Sequence, residues 1–99
     1  MKLIISSNVR KKLADQDHQV TEDEIRQAFA NRVEIMVKDT RARHRTNPST
    51  LWFVAETDFG RKLKVMLIPH ANGDVEIKSA YSATVEVQGI YNDKVAKQK

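Results

Sequence analysis

The chain has 99 residues, enough for one hydrophobic core, and its 40% hydrophobic and 30% charged residues are typical of a folded globular protein. It contains no cysteine, which excludes disulfides and thiolate metal sites, and no apolar run approaches the roughly 18 residues of a membrane span. The net charge of +4 favours an anionic partner, either a nucleic acid or an acidic protein. We therefore expect a single cytoplasmic domain over residues 1–99, with a basic C-terminus that frays from about residue 94.

Two helices are predicted in the first third of the chain. Residues Leu3–Ile5 are apolar and form either a short strand or a packed arm, and one of the serines at positions 6 and 7 can then cap a first helix. The second helix has a better-defined start, because Thr21 and Glu24 have the spacing of a capping box. We predict this helix over Glu22–Asn31, where apolar residues repeat at helical spacing.

The stretch from Leu51 to Tyr81 predicts an antiparallel meander. Its apolar runs are separated by two turn signals, Asp58–Gly60 and Ala71–Gly73, and an Asn-Gly pair such as the one in the second is typical of a type I′ hairpin turn. Val33–Val37 alternates loosely and is expected to be the first strand of the sheet. The sequence therefore predicts four strands in a mostly antiparallel sheet.

A final helix is predicted after Thr84, whose hydroxyl can cap it. Its inner face would carry apolar side chains at helical spacing, namely Val87, Ile90, Tyr91 and Val95. The elements together predict an α+β fold in which two N-terminal helices and one C-terminal helix pack on one face of the sheet.

A strongly basic segment connects the first two predicted strands. It contains Lys38, Arg41, Arg43 and Arg45, with His44 among them. Arginine forks suit phosphate oxygens, and a histidine can transfer a proton near neutral pH, so the segment is a candidate for RNA binding and for chemistry on RNA. The alternative is a solvated loop whose charges keep a sheet edge from aggregating.

The second face of the meander is also basic. Strand alternation places Lys62, Lys64 and Met66 on one side of their strand and Glu76, Lys78 and Ala80 on the corresponding side of the next. We expect the hairpin to bring Lys62 or Lys64 near Glu76 or Lys78, which would give a surface for a phosphate backbone. The alternative is an ordinary solvent-exposed face with cross-strand ion pairs. The histidines lack the spacing of metal ligands, so no metal or other cofactor is expected.

The order of these motifs resembles the BrnT-like ribonuclease toxins of bacterial toxin–antitoxin systems, relatives of the RelE group. The similarity covers about residues 17–91, most of the chain. The segments that carry it are His18-Gln19-Val20 in place of a His-Gly-Val turn, Thr21 to Phe29, Asp39-Thr40-Arg41, Gly60 to Leu63, Ile77 to Tyr81, and Ala83-Thr84. The family's pattern has arginines at the positions of Glu76 and Tyr81, where this chain departs from it. The chain is also similar to short bacterial proteins labelled ADP-ribosyl-dinitrogen-reductase hydrolase, although the sequence has no cluster of carboxylates that could hold metal ions for such chemistry.

The resemblance implies a RelE/BrnT-like fold and a toxin-like RNA-binding protein, with a metal-independent endoribonuclease as the expected activity and a cognate antitoxin as the expected protein partner. We assign proton transfer to His44 or Tyr81 and charge stabilisation to Lys64 and Lys78. The expected RNA-binding residues are Lys38, Arg41, Arg43, Arg45, Arg61 and Lys62. The alternative is a catalytically inert RNA-binding or protein-interaction module, antitoxin-like or immunity-like, on the same fold.

Overall fold

A computed structural model describes residues 2–40 and 49–98 of the chain. In chain order the elements are β1 (Leu3–Ile4), α1 (Ser7–Ala14), α2 (Glu22–Asn31), β2 (Val37–Lys38), β3 (Leu51–Glu56), β4 (Lys62–Pro69), β5 (Val75–Ser82) and α3 (Val85–Gln98). No helix in these two ranges is both long and apolar enough to cross a membrane.

The predicted caps begin the helices. Ser6 accepts a hydrogen bond from the backbone N–H of Val9 at 3.2 Å and caps α1. Thr21 and Glu24 form the predicted capping box of α2. Thr84 accepts from the N–H of Val87 at 3.2 Å at the start of α3. Each hydroxyl satisfies a first-turn donor that has no partner within its own helix. Helix α3 continues to Gln98.

The strands form a five-stranded mixed sheet in the order β1-β5-β4-β3-β2. Strands β2 to β5 are antiparallel neighbours, as predicted, but Leu3 of β1 pairs in parallel with Val75 of β5 and adds a fifth strand. The prediction of a strand over Val33–Val37 is largely wrong, because only Val37 and Lys38 pair with β3. The carbonyl of Ile35 instead accepts a hydrogen bond from the Tyr91 hydroxyl of α3.

The two hairpin loops of the meander share one geometry. In the β3–β4 loop the N–H of Gly60 donates to Thr57, and Gly60 has a φ of 86°. In the β4–β5 loop the N–H of Gly73 donates to His70, and Gly73 has a φ of 91°. Asn72 does not have a positive φ, so the predicted type I′ turn is wrong. Each loop is a three-residue connection in which one left-handed glycine closes the turn.

Helices cover both faces of the sheet, whereas the sequence predicted one. Successive side chains of a strand point to opposite faces, and Phe53 and Trp52 of β3 therefore mark the two faces. Phe53 contacts Phe29 of α2 at a ring-centroid distance of 5.5 Å. Trp52 contacts Tyr91 of α3 at 5.7 Å. We call the face of Phe53 the inner face and the face of Trp52 the outer face.

A β-bulge interrupts the alternation that was predicted for β5. Met66 pairs with Ser79 and Leu67 pairs with Ile77, so β5 has one extra residue, Lys78, at this point. The bulge moves Ala80 to the inner face, where it is fully buried instead of sharing a side with Lys78. It also leaves the Tyr81 ring on the outer face, beside the strand partner of Tyr81, Lys64.

Candidate nucleic-acid interface

A groove lies between edge strand β2 and helix α3 on the outer face. Lys64 from β4 and Lys94 and Lys97 from α3 line it. Lys38 of β2 borders it as well, but Lys38 pairs with Leu51, so its side chain leaves the strand on the inner face. The part nearest to Lys64 encloses about 310 Å³, and the Trp52 ring contributes to its lining. We call this site the lysine groove.

Local structure explains why the lysines converge. Lys94 and Lys97 are three residues apart on α3, so they lie on the same side of the helix. The buried Tyr91, one turn earlier, fixes α3 against β3 and turns that side towards β2. Lys38 is exposed in a strand of only two residues, at the open edge of the sheet.

Aromatic rings hold the ammonium of Lys64. Its Nζ lies 4.7 Å from the centroid of the Trp52 ring and 5.8 Å from that of the Tyr81 ring. Both distances are within the roughly 6 Å over which a cation is attracted to a ring face. The rings restrict the side chain and place its ammonium group at the groove.

Lysines outnumber carboxylates in the lining of the groove within the described part of the chain. Asp39 also lines the groove and is 5% exposed, so one buried carboxylate offsets part of the positive charge of the lysines. A concave site with more ammonium groups than carboxylates suits a chain of phosphates.

A histidine lies close to Tyr81, the strand partner of Lys64. The ring of His18, from the α1–α2 connection, meets the Tyr81 ring edge to face at a centroid distance of 6.0 Å. The Nδ1 atom of His18 lies 2.7 Å from Oδ1 of Asp15, which also accepts from the backbone N–H groups of Asp17 and His18. The hydrogen bond from the His18 side chain is the main reason that the pKa of Asp15 is lowered from its usual value.

Arg61 fixes the connection that carries His18. Its Nη2 donates to the His18 carbonyl at 3.0 Å, its Nη1 to the Gln19 carbonyl at 2.7 Å, and its Nε to Oγ of Ser82 at 3.0 Å. Nη1 also forms an ion pair with Glu24 at 3.0 Å. We call Arg61 and these four partners the arginine clamp. Because its donors are used within the protein, the clamp favours a structural role for Arg61 over the predicted contact with RNA.

Glu24 gains from the clamp electrostatically. Partial burial acts to raise the pKa of Glu24, but hydrogen bonds from the Thr21 backbone and from Arg61 outweigh it and lower the pKa below its usual value. The carboxylate of Glu24 therefore serves two structures at once, the capping box of α2 and the arginine clamp.

The remaining described candidates lie elsewhere. Lys62 is exposed and lines a separate cavity with Glu56, its partner across the strands. Lys78 pairs with Glu76 at 3.5 Å, and Glu76 also lies 3.1 Å from Nε2 of His70. The prediction that Lys62 or Lys64 lies near Glu76 or Lys78 is wrong, because the register places Lys64 opposite Tyr81.

Part of the predicted basic segment lies outside the described residues. These residues are Arg41, Arg43, His44 and Arg45. Lys38, at the start of the segment, is described and borders the lysine groove. Among residues 2–40 and 49–98, no group of three or more His, Asp or Glu residues could hold a metal ion.

The structure adds residues that the sequence did not single out. Lys94 and Lys97 were assigned to a frayed end, although their spacing on a helix was visible. His18 was considered as a metal ligand, which its spacing disfavoured, and as a part of the family-like turn. The residue in the glycine position of that turn, Gln19, has a φ of 50°, a left-handed conformation that glycine adopts easily. That φ marks the turn as a defined structural element.

Comparisons with protein-family models, with curated proteins and with solved structures find no match to this chain.

Proposed function

We propose that this protein is a toxin-like RNA-binding protein whose lysine groove holds the sugar-phosphate backbone of single-stranded RNA. The observation that carries the proposal is the groove itself. Lys64, Lys94 and Lys97 converge there from two elements, Lys38 borders the groove at the sheet edge, and these lysines outnumber the one carboxylate of the described lining, Asp39.

The groove favours recognition of the backbone over recognition of bases. Lysine acts as a point charge that contacts phosphates without reading sequence. Trp52 is 8% exposed and packs on Tyr91, so little of its ring remains for stacking on a base. We therefore expect binding that depends strongly on salt and weakly on RNA sequence.

The proposed activity is endoribonuclease cleavage, as in a type II toxin–antitoxin system. Attack by the 2′-hydroxyl on the phosphate needs a base, an acid and a cation near the developing charge, and no metal is obligatory. Tyr81 and Lys64 support this proposal, because the ring and the ammonium group lie together beside the lysine groove.

The proposed protein partner is an antitoxin with an acidic segment. A partner that covers the lysine groove with carboxylates would exclude RNA by competition and would match the positive charge of the site. Binding of that partner would then weaken as salt rises, as binding of RNA does.

The first experiment measures the affinity for a fluorescein-labelled single-stranded RNA at several salt concentrations. Three phosphates neutralised by Lys64, Lys94 and Lys97 give a slope of log K against log salt of about −2, since each contributes about −0.7. The double variant Lys94→Gln/Lys97→Gln should weaken binding and flatten the slope by about 1.4. Lys11→Gln/Lys12→Gln is the matched control, since both lysines are exposed on α1, away from the groove.

Two results would contradict the proposal. Equal losses in the groove variant and in the α1 control would show that only net charge matters. Absence of RNA binding at low salt, together with salt-insensitive binding of a protein, would favour the protein-interaction module.

The toxin role is tested in a bacterial host by following growth and total RNA together. Controlled expression should arrest growth and fragment RNA, and co-expression of an acidic partner that blocks the groove should relieve both. Normal growth with intact RNA at high expression would contradict the toxin role.

A further inference from the structure

We infer that His18, held by Asp15 and placed against Tyr81, is the proton-transfer residue of the outer-face site. The inference rests on the proposed function, because it assigns a catalytic group to RNA bound in the lysine groove. The sequence had assigned proton transfer to His44 or Tyr81, and His18 enters only through the geometry.

The contact with Asp15 determines which nitrogen of the His18 ring carries the hydrogen. An ionised carboxylate has no proton to donate, so the 2.7 Å contact requires that Nδ1 of His18 carries the hydrogen. In the neutral ring the other nitrogen, Nε2, then has a free lone pair and can accept a proton. A carboxylate that fixes one nitrogen of a histidine and leaves the other available is a common arrangement at sites of general-base catalysis.

A chain of contacts links the ring to the groove. His18 contacts Tyr81, the Lys64 ammonium lies over Tyr81, and Lys64 lines the lysine groove. The side chain of His18 is 19% exposed, so it is partly enclosed but still open to a bound molecule. The imidazole and the Tyr81 ring therefore lie next to the end of the groove that Lys64 lines.

The arginine clamp holds this histidine in place. Arg61 binds the carbonyls of His18 and Gln19, which fastens the α1–α2 connection to Ser82 at the end of β5. The left-handed backbone of Gln19, with a φ of 50°, turns the chain directly after His18. Backbone conformations that are rare for non-glycine residues are retained where the surroundings fix them, and they concentrate at functional sites. Arg61 is thus a positioning residue.

A second histidine in the structure lacks this setting. His70 also contacts a carboxylate, Glu76, but through Nε2 and at 3.1 Å. Lys78 shares the same carboxylate, and His70 lies at the opposite end of β4, beside the hairpin loop. His70 therefore provides a matched control for His18.

The chemistry balances within the site. Nε2 of His18 takes the proton of the 2′-hydroxyl as O2′ forms its bond to phosphorus. The bond from phosphorus to O5′ breaks, and O5′ receives a proton from the Tyr81 hydroxyl or from the Lys64 ammonium. The products are a 2′,3′-cyclic phosphate and a 5′-hydroxyl. Nε2 of His18 then releases its proton to solvent, and the acid regains a proton from solvent. No oxidation, reduction or co-reactant is required.

The test measures binding and cleavage separately on the full chain. A fluorescein-labelled single-stranded RNA reports affinity by anisotropy, and single-turnover cleavage in the presence of EDTA reports the chemical step. His18→Ala should lower the cleavage rate by about 10²–10⁴-fold, the usual contribution of a general acid or base, while its RNA affinity stays within about twofold. Added imidazole should raise the cleavage rate of His18→Ala by at least about tenfold. His70→Ala should bind and cleave as the parent does.

A second variant guards against misfolding. In His18→Asn the amide can still donate to Asp15, but it has no counterpart to Nε2, so this variant should fold and bind RNA yet fail to cleave it. The inference is overturned if His18→Asn cleaves at the parent rate, if imidazole rescues nothing in a folded His18→Ala, or if the parent binds RNA without cleaving it. In each of these outcomes RNA binding stands. Loss of RNA binding in the parent would instead overturn the proposed function.

Discussion

The inner face of the sheet is closed by helices, whereas the outer face is only partly covered. Phe53, Leu63 and Val65 of the inner face are fully buried. On the outer face α3 covers the Trp52 end, and Lys64 remains half-buried at the margin of the helix. The difference shows how one sheet can provide both a core and an open groove. One apolar face supplies stability, and a single helix laid on the other leaves a groove along its side.

Truncation on the two faces should have different costs, and this is the largest effect we expect. Phe53→Ala should lower the free energy of unfolding by about 3–5 kcal/mol, since it removes a fully buried ring beside Phe29. Ile90→Ala on α3 should lower it by less than about 1 kcal/mol, because Ile90 is 43% exposed. Urea unfolding followed by circular dichroism measures both. Similar losses for the two variants would show that the outer face is as tightly packed as the inner one.

Arg61 connects the helices of the inner face to the end of the outer-face site. Its removal should lower the free energy of unfolding by less than Phe53→Ala does. Arg61→Met leaves Glu24 without its cation and two carbonyls without their donor, and we expect a loss of about 1–2 kcal/mol in the free energy of unfolding. Arg26→Met is the matched control. It breaks an exposed pair with Glu22 and should change stability by no more than about 0.5 kcal/mol. Equal losses of stability in Arg61→Met and Arg26→Met would show that the arginine clamp stabilises the fold no more than an exposed ion pair does.

The smallest effect concerns Tyr91, which anchors α3. Tyr91→Phe deletes the hydrogen bond to the Ile35 carbonyl and should lower the free energy of unfolding by about 1 kcal/mol at neutral pH. Burial raises the pKa of Tyr91 above its usual value of 10.0. The stability that depends on the protonated hydroxyl is therefore fully present below pH 10.0 and is lost as the pH rises through the folded-state pKa.

The loss of stability at alkaline pH gives a direct test of the role of Tyr91. Stability of the parent should fall above pH 10, and the fall should be shallower in Tyr91→Phe, because that variant has no hydroxyl to ionise. Thermal unfolding of the parent and of Tyr91→Phe across the alkaline range measures the two slopes. Identical slopes for the parent and Tyr91→Phe would contradict the assignment.

Local features of the fold could be predicted from the sequence. The caps at Ser6, Thr21 and Thr84 depend on residues within one turn of a helix, and all three begin helices as expected. Strands β3 to β5 also lie where the apolar runs and turn signals placed them. These elements are encoded by neighbouring residues, so a single sequence is enough to find them.

Long-range features could not be predicted in the same way. The parallel pairing of Leu3 with Val75 leaves no local pattern in either segment. The bulge at Lys78 shifts all later side chains of β5 by one position, and period-2 alternation alone cannot locate such an insertion.

The candidate site was predicted only in part for the same reason. Lys64 and Tyr81 were named from the sequence, and the structure brings them together. The sequence also named Lys78, which pairs with Glu76 instead. It gave no role to His18, because the contact of His18 with Tyr81 joins segments that are distant in the chain.

The pairing of β1 with β5 also has a consequence for the order of folding. Strands β3, β4 and β5 are joined by short loops, so each can pair with the next soon after both have been synthesised. Leu3 must wait for Val75, and the closure of such a long loop is entropically slow. On the ribosome, β1 and the apolar side of α1 therefore remain without their partner until nearly the whole meander has emerged. The beginning of the chain is then the last part of the sheet to be completed.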